Sequence, residues 1–305
     1  MIEGPYFRQA EFVLRVLPLV DREAVFALKG GTAINFFVRD LPRISVDIDL
    51  VYLPLGERDL SLRELSAALV RIAGEAERRI TGARIIPKRL KGTDLWSGCS
   101  VQREDATIKI EPNLVIRGSL LPPERRTLSP KARRIFELSM ECRTLAEKEL
   151  YAGKLCAALD RQHPRDLFDV LMLFRHGSFD DALRKAFIVY LISSDRPMVE
   201  LLNPGFSDFR SVFETEFRDM VDEEVTCDTL EETRKDLVAR IARDLTLPER
   251  QFIVSIKEGK PQWDLIGLEG VQNLPAVQWK LLNISRMAPM KHRQAVHKLR
   301  DYLGI

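Results

Sequence analysis

The sequence predicts an α/β (α+β) protein: a mixed-sheet domain over residues 1–145, then a mainly α-helical domain over residues 146–305. Two observations predict it. Residues 24–53 run strand, Gly-Gly turn, short helix, strand, a unit from which mixed sheets are built. From Ala146 onward the apolar residues fall at helical spacing and stay there. The 305 residues suffice for two domains with cores of their own.

The first strand, residues 24–28, is the apolar run Ala-Val-Phe-Ala-Leu, and Gly30-Gly31 stops it. Thr32 is placed to cap a helix over residues 33–39, with Ile34, Phe37 and Val38 as its stripe and Leu41-Pro42 as its end. The second strand, residues 46–53, alternates. Ser45, Asp47 and Asp49 share one face; Val46, Ile48 and Leu50 share the other. Paired carboxylates beside an apolar face are costly unless a cation accompanies them, and a divalent metal is the usual remedy. The glycines let the backbone approach a polyphosphate, with free N–H groups and the positive helix end facing it. Together with Arg43 in R-x-S-x-D-x-D, this unit resembles the opening of the polymerase-β-type nucleotidyltransferase fold. The alternative is a plain turn beside an exposed acidic strand.

The remaining elements follow. Residues 5–22 make a helix through Phe12, Val13, Val16 and Leu17, and residues 59–79 a long amphipathic one through Leu62, Leu65, Leu69 and Ile72. Residues 84–90 form a strand rich in Arg and Lys, residues 92–100 a turn, and residues 99–101 and 106–111 a hairpin. Thr107, Lys109 and Glu111 share one face of its second strand, making Glu111 the candidate third carboxylate; the alternative is a solvated edge strand. Residues 118–131 are a Pro-rich connection, and residues 135–140 one more strand.

In the helical half, Leu150, Leu155, Ala158 and Leu159 form a stripe, and Lys154 and Arg161 lie two turns apart on one face. Pro164 fits the first position of a new helix, with His163 before it and Leu167, Val170, Leu171 and Phe174 facing the core. There Arg165 and Asp169 are four apart. These charges are either ordinary intrahelical pairs or a set in which Lys154 and Arg161 meet a triphosphate and Asp166 or Asp169 orients them. Residues 221–244 read as a solvated helical face. The final helix carries Lys291, Arg293, Lys298 and Arg300, either a solvated face or a grip on an RNA backbone.

A net charge of +2 confines any nucleic-acid site to a local patch. Cys99, Cys142, Cys156 and Cys227 match neither zinc spacing nor a disulfide framework, which suits reduced thiols in a cytoplasm. Glu3, Arg8, Glu11 and Arg15 interrupt any signal-peptide core, and no apolar run approaches a membrane span, so a cytoplasmic protein without membrane contact is expected.

The segments LKGGTAINFF, RISVDIDL, TIKIEPN, KLCAALDRQHPRDLFDVLML and LPAVQWKLLNISRM resemble the AbiEii/AbiGii toxins, including the MenT toxins, of bacterial type IV-style toxin–antitoxin systems. They extend from about Phe26 to Met287. Two departures stand out: Pro164 ahead of Arg165-Asp166, which would tilt that helix, and Pro112 directly after Glu111, which would end the strand early. The resemblance implies a polymerase-β-like domain followed by a helical one, and an enzyme that moves a nucleotide from an NTP to an acceptor. For several relatives that acceptor is the 3′ end of tRNA, which blocks translation; a cognate antitoxin is encoded alongside.

On this reading Asp47, Asp49 and Glu111 hold Mg²⁺ (or Mn²⁺), and Gly30, Gly31 and Thr32 cradle the triphosphate. Arg43 and Lys154 neutralise its charge, with Ser45, Arg161, Arg165, Asp166 and Asp169 completing the site. A phosphate on Ser45 would add ≈ −1.5 to −2 charge beside the metal and act as an off-switch. Two competing readings keep the fold: nucleotidylation of a protein or small molecule, and a non-catalytic nucleotide-binding module.

Overall fold

The computed structural model describes residues 4–104 and 106–305; Glu3, one of the charges weighed against a leader peptide, lies outside them. The alternation at Asp47 and Asp49 becomes strand β2 (Asp47–Tyr52), in which Ile48 and Leu50 are buried and the two aspartates half-buried. β1 (Phe26–Lys29) pairs antiparallel to it, with Lys29 opposite Asp49. The sheet continues through β3 (Arg84–Arg89), β4 (Trp96–Arg103), β5 (Ala106–Asn113), β6 (Glu124–Thr127) and β7 (Glu141–Thr144). Its order is β3-β4-β5-β2-β1-β7-β6. The sheet is mixed, because β2–β5 and β1–β7 run parallel and the other pairs antiparallel. Two helices pack on it: α1 (Pro5–Val20) and α3 (Arg58–Arg79), whose Leu62, Leu65, Leu69 and Ile72 are buried.

Several expectations are corrected. The helix after β1 begins at Gly30, not after Thr32: α2 (Gly30–Ala33) widens directly into a π-helical turn (Ile34–Val38). Thr32 is therefore inside the helix and caps nothing. Residues 96–100 belong to β4 rather than to a turn, since Val101 and Cys99 bury against β5. The Pro-rich connection contains β6, which needs only backbone pairing with β7 to form. Residues 135–140 are not a strand. Pro130 opens helix α4 (Pro130–Phe136), which carries Phe136 into a stack with Phe7, and the strand follows at β7. Pro112 does not end β5. Pairing with β4 stops at Ile110, so the missing N–H removes no bond there, and β5 continues beside Leu50 and Val51.

The contacts divide the chain into two compact units, Met1–Leu150 with Glu216–Glu224, and Tyr151–Thr215 with Val225–Ile305. The return of Glu216–Glu224 has no counterpart in a single boundary after residue 145. There Met220 is buried, its carbonyl accepts from Ile44 N at 2.8 Å, and Val221 bridges to Arg43. The helical face expected from residue 221 accordingly starts later, at α10 (Cys227–Asp244), where the Thr226 side chain caps by accepting from Thr229 N.

The second unit is helical: most of α5 (Glu147–Asp160), then α6 (Pro164–His176), α7 (Asp181–Ser193), α8 (Met198–Leu202), α9 (Arg210–Glu216), α10, α11 (Leu247–Glu258), α12 (Pro275–Ser285) and α13 (Pro289–Leu303). Pro164 sits at the first position of α6, and the His163 side chain accepts from Arg165 N at 3.1 Å. A proline there displaces no helical hydrogen bond, so it starts the helix and does not tilt its interior. None of the described helices is long and apolar enough to cross a membrane.

Candidate active site

In the first unit the site is built by close approach. Gly30 has φ +70°, and a Cβ there would lie 2.5 Å from Asp49 Oδ2, so only glycine lets that carboxylate rest on the turn. Gly31 performs the same service for its neighbours: a Cβ would meet Arg43 Nη2 at 2.6 Å and Ser45 Oγ at 2.9 Å. Thr32 Oγ1 donates to the Asp47 carbonyl at 2.5 Å and lies in hydrogen-bond contact with Ser45 Oγ at 3.0 Å. Asn35, fully buried, donates from Nδ2 to Gly31 O at 2.9 Å and closes the turn. Gly30, Gly31, Thr32, Arg43, Ser45, Asp47 and Asp49 are thus one contiguous structure.

Glu111 sits directly beside Asp49 in the parallel β2–β5 pair, and Lys109 beside Asp47. The Glu111 carboxylate carries an ion pair of its own. Lys88, on edge strand β3, reaches it with Nζ at 2.8 Å from Oε1. The reach crosses β4 at Gly98, the register partner of Lys88; a Cβ there would meet Ile110 O at 2.9 Å and crowd Glu111. Among the described residues no three His, Cys, Asp or Glu side chains gather tightly enough to hold a metal. The donor chemistry nonetheless fits a hard cation. Asp47 and Asp49 are half-buried oxygen donors on one face, and Mg²⁺ keeps several water or phosphate ligands beside one or two carboxylates.

Ser45 is only 8% exposed, so a phosphate could be added there only if the glycine turn opened. Arg43 is buried, its Nη1 donating to Ile44 O at 2.8 Å. It braces the turn from the segment ahead of β2, where Arg43 bridges to Val221.

In the second unit Lys154 lies between two fully buried carboxylates, with Nζ 2.7 Å from Asp166 Oδ1 and 2.9 Å from Asp169 Oδ2. Arg161, its side chain largely exposed, also donates to Asp166, through Nη2 at 3.0 Å to Oδ1 and through Nε to Oδ2. Burial pushes the Asp166 carboxyl up, but Lys154 and Arg161 outweigh it and hold the group well below the usual carboxylate range. Arg165, one helical turn before Asp169, is half-buried.

Reading the sequence missed Asn35, Lys88, Gly98 and Met220. Asn35 carried a signal, as a polar residue four after Gly31 in an apolar stripe. Lys88 and Met220 had none, because their partners are distant in the chain.

The family model described as nucleotidyl transferase AbiEii toxin, type IV TA system, matches residues 12–281. Among solved structures, the chain is similar to MenT4, a nucleotidyltransferase toxin from Mycobacterium tuberculosis H37Rv. The TM-score is 0.58 at 16% identity, covering 92% of this chain and 91% of that one. No curated protein matches.

Proposed function

Given that the chain belongs to the AbiEii family of nucleotidyl transferase toxins of type IV toxin–antitoxin systems, we propose that it transfers a nucleotide from an NTP to the 3′ end of tRNA and so blocks translation. The observation that carries the chemistry is Asp49 resting on the Gly30 turn with Asp47 beside it on the same face. A carboxylate pair packed against a glycine turn that opens a helix is an arrangement suited to holding a polyphosphate together with its counter-ion. A module that only bound nucleotide would have no need of the pair.

Asp47 and Asp49 would hold Mg²⁺ or Mn²⁺, and Glu111 would join them on leaving Lys88. The ion supplies charge neutralisation at the phosphates and acidifies the acceptor hydroxyl. The chain's own residues do the rest. The Gly30-Gly31 backbone admits the triphosphate, Asn35 and Arg43 hold the turn's shape, and Thr32 ties the helix to β2 through the Asp47 carbonyl. In the step itself the acceptor hydroxyl oxygen bonds to the α-phosphorus as its proton passes to water, the bond to the bridging oxygen of the β-phosphate breaks, and pyrophosphate leaves. Within the helical unit, Lys154, fixed by Asp166 and Asp169, is proposed as a phosphate-neutralising cation, with Arg161 and Arg165 on the same stretch of chain. An antitoxin is the partner that a toxin of this family implies.

The test is incubation with Mg²⁺, each α-labelled NTP and a cell extract. Label in tRNA is expected for the wild type, and a loss of roughly a hundredfold or more for Asp49→Ala with an unchanged melting curve. Label confined to protein or small molecules would overturn the tRNA acceptor, and full activity of Asp49→Ala would overturn the metal assignment.

A further inference from the structure

Charge is distributed unevenly along this chain. Residues 275–305 carry six Lys and Arg side chains against one acidic residue, Asp301, a net +5; since the whole chain is +2, the remainder is −3. The pairing is uneven too. On α10 the charges cancel locally: Lys235 with Glu232 at 2.7 Å, Arg240 with Asp236 at 2.7 Å, Arg243 with Asp244 at 2.6 Å. On the terminal helices Arg286, Lys291, Arg293 and Lys298 are exposed and make no ion pair among the described residues. A solvated face of mixed charge looks like α10. An unpaired face of one sign lacks its counter-charge.

That face has a concavity. A cleft of about 390 Å³ lies between the end of α11 and α13, lined by Glu258, Lys260, His292, Arg293, His297 and Arg300. Glu258 is its one acid, and it already holds Arg300 at 2.6 Å; Lys260 and Arg293 have no such partner among the described residues. Val296 is its one apolar lining residue, which leaves no anchor for a folded protein partner. The cations are also spread lengthwise. Lys291 and Lys298 form one stripe two turns long and Arg293 and Arg300 the next, so the charge extends over about 13 Å of helix. A single phosphate would engage only one end of it; a run of phosphodiesters matches it.

We infer that α13 and the cleft beside α11 bind the sugar-phosphate backbone of the RNA that the enzyme modifies. This rests on the tRNA-acceptor reading for the identity of the RNA, while the polyanion site itself stands on the charge and the cleft. The grip is independent of base sequence wherever these Lys and Arg side chains meet phosphates, because phosphate contacts carry no sequence information.

The test uses the full chain and fluorescently labelled tRNA, titrated over a series of KCl concentrations. The triple variant Lys291→Glu, Arg293→Glu, Lys298→Glu is expected to bind at least tenfold more weakly, with the log–log salt slope reduced by about two to three. The neutral variant Lys291→Gln, Lys298→Gln is expected to lower the slope by about two or less. Lys235→Gln on α10 is expected to change neither quantity. Unchanged affinity and slope in both α13 variants overturn the inference, and loss of a co-purifying acidic protein with RNA binding intact does the same. Wild type that binds tRNA through this face but never labels it leaves the inference standing and removes the tRNA-acceptor reading. Labelling with unchanged binding by the triple variant does the reverse.

Discussion

At Gly30 two constraints coincide: a backbone angle that L side chains rarely adopt and a carboxylate oxygen where a Cβ would go. Gly30→Ala should therefore cost about 1 kcal/mol or more of stability and displace Asp49. Transfer activity should fall at least tenfold per folded molecule, read by thermal melting beside the labelling assay. Lys88 raises a different question. Its pair with Glu111 is largely exposed, at 65% and 40%, so it contributes under about 1 kcal/mol. If Glu111 serves the metal, Lys88→Ala should tighten Mn²⁺ binding by no more than about fivefold and Glu111→Gln should weaken it, by calorimetry. Identical metal affinity in all three proteins would remove Glu111 from the site and leave it only the partner of Lys88.

At the level of elements, α5 and α6 are tied by Lys154, and removing it leaves Asp166 and Asp169 buried without their shared cation. Lys154→Met should cost about 3–5 kcal/mol in urea unfolding at neutral pH. Asp166 is depressed in the folded state, so its contribution is complete above the ordinary carboxylate pKa of about 3.9 and is lost as pH falls below it. The variant should weaken that acid limb, Arg161 alone then holding Asp166. If folded Lys154→Met transfers nucleotide at the wild-type rate, the lysine is structural only. On α12, Lys280 is buried and donates to Ser194 O and Arg196 O at 2.5 and 2.7 Å, beyond the end of α7. Burial first, then Lys257, brings its pKa down to about 8. Between about pH 8 and the unfolded value of about 10.4, the unfolded chain holds a proton that the folded one has released. Stability should rise with pH across that window, and Lys280→Met should abolish the rise, measured by denaturant titration at intervals of pH.

Across the molecule, the informative feature is a segment that leaves one unit's sequence and joins the other's fold. Glu216–Glu224 places Met220 and Val221 against Ile44 and Arg43, two residues before Ser45 and four before Asp47. A buried apolar anchor there keeps the strand entry in register. Met220→Asp should raise hydrogen exchange in residues 216–224 and 43–46 while leaving α13 protected, and should lower transfer without touching a carboxylate. Unchanged exchange at Ile44 would show that the segment only rests there.

Much of this architecture was legible before any coordinates. Period-2 alternation put Asp47 and Asp49 on one face, the Gly-Gly pair marked the turn they meet, and Pro164 opened α6. Each is a local property, written in consecutive residues, because a strand's faces and a helix's start depend only on near neighbours. The short strands were misjudged for the opposite reason: β6 forms on β7, and β7 on β1 and β6, while their own side chains say little. The same holds for Lys88 reaching Glu111 over Gly98, for Met220 accepting from Ile44, and for the cleft between α11 and α13. Those arise from chain segments far apart in order and adjacent in space, and only packing decides which distant charge or carbonyl a side chain will find.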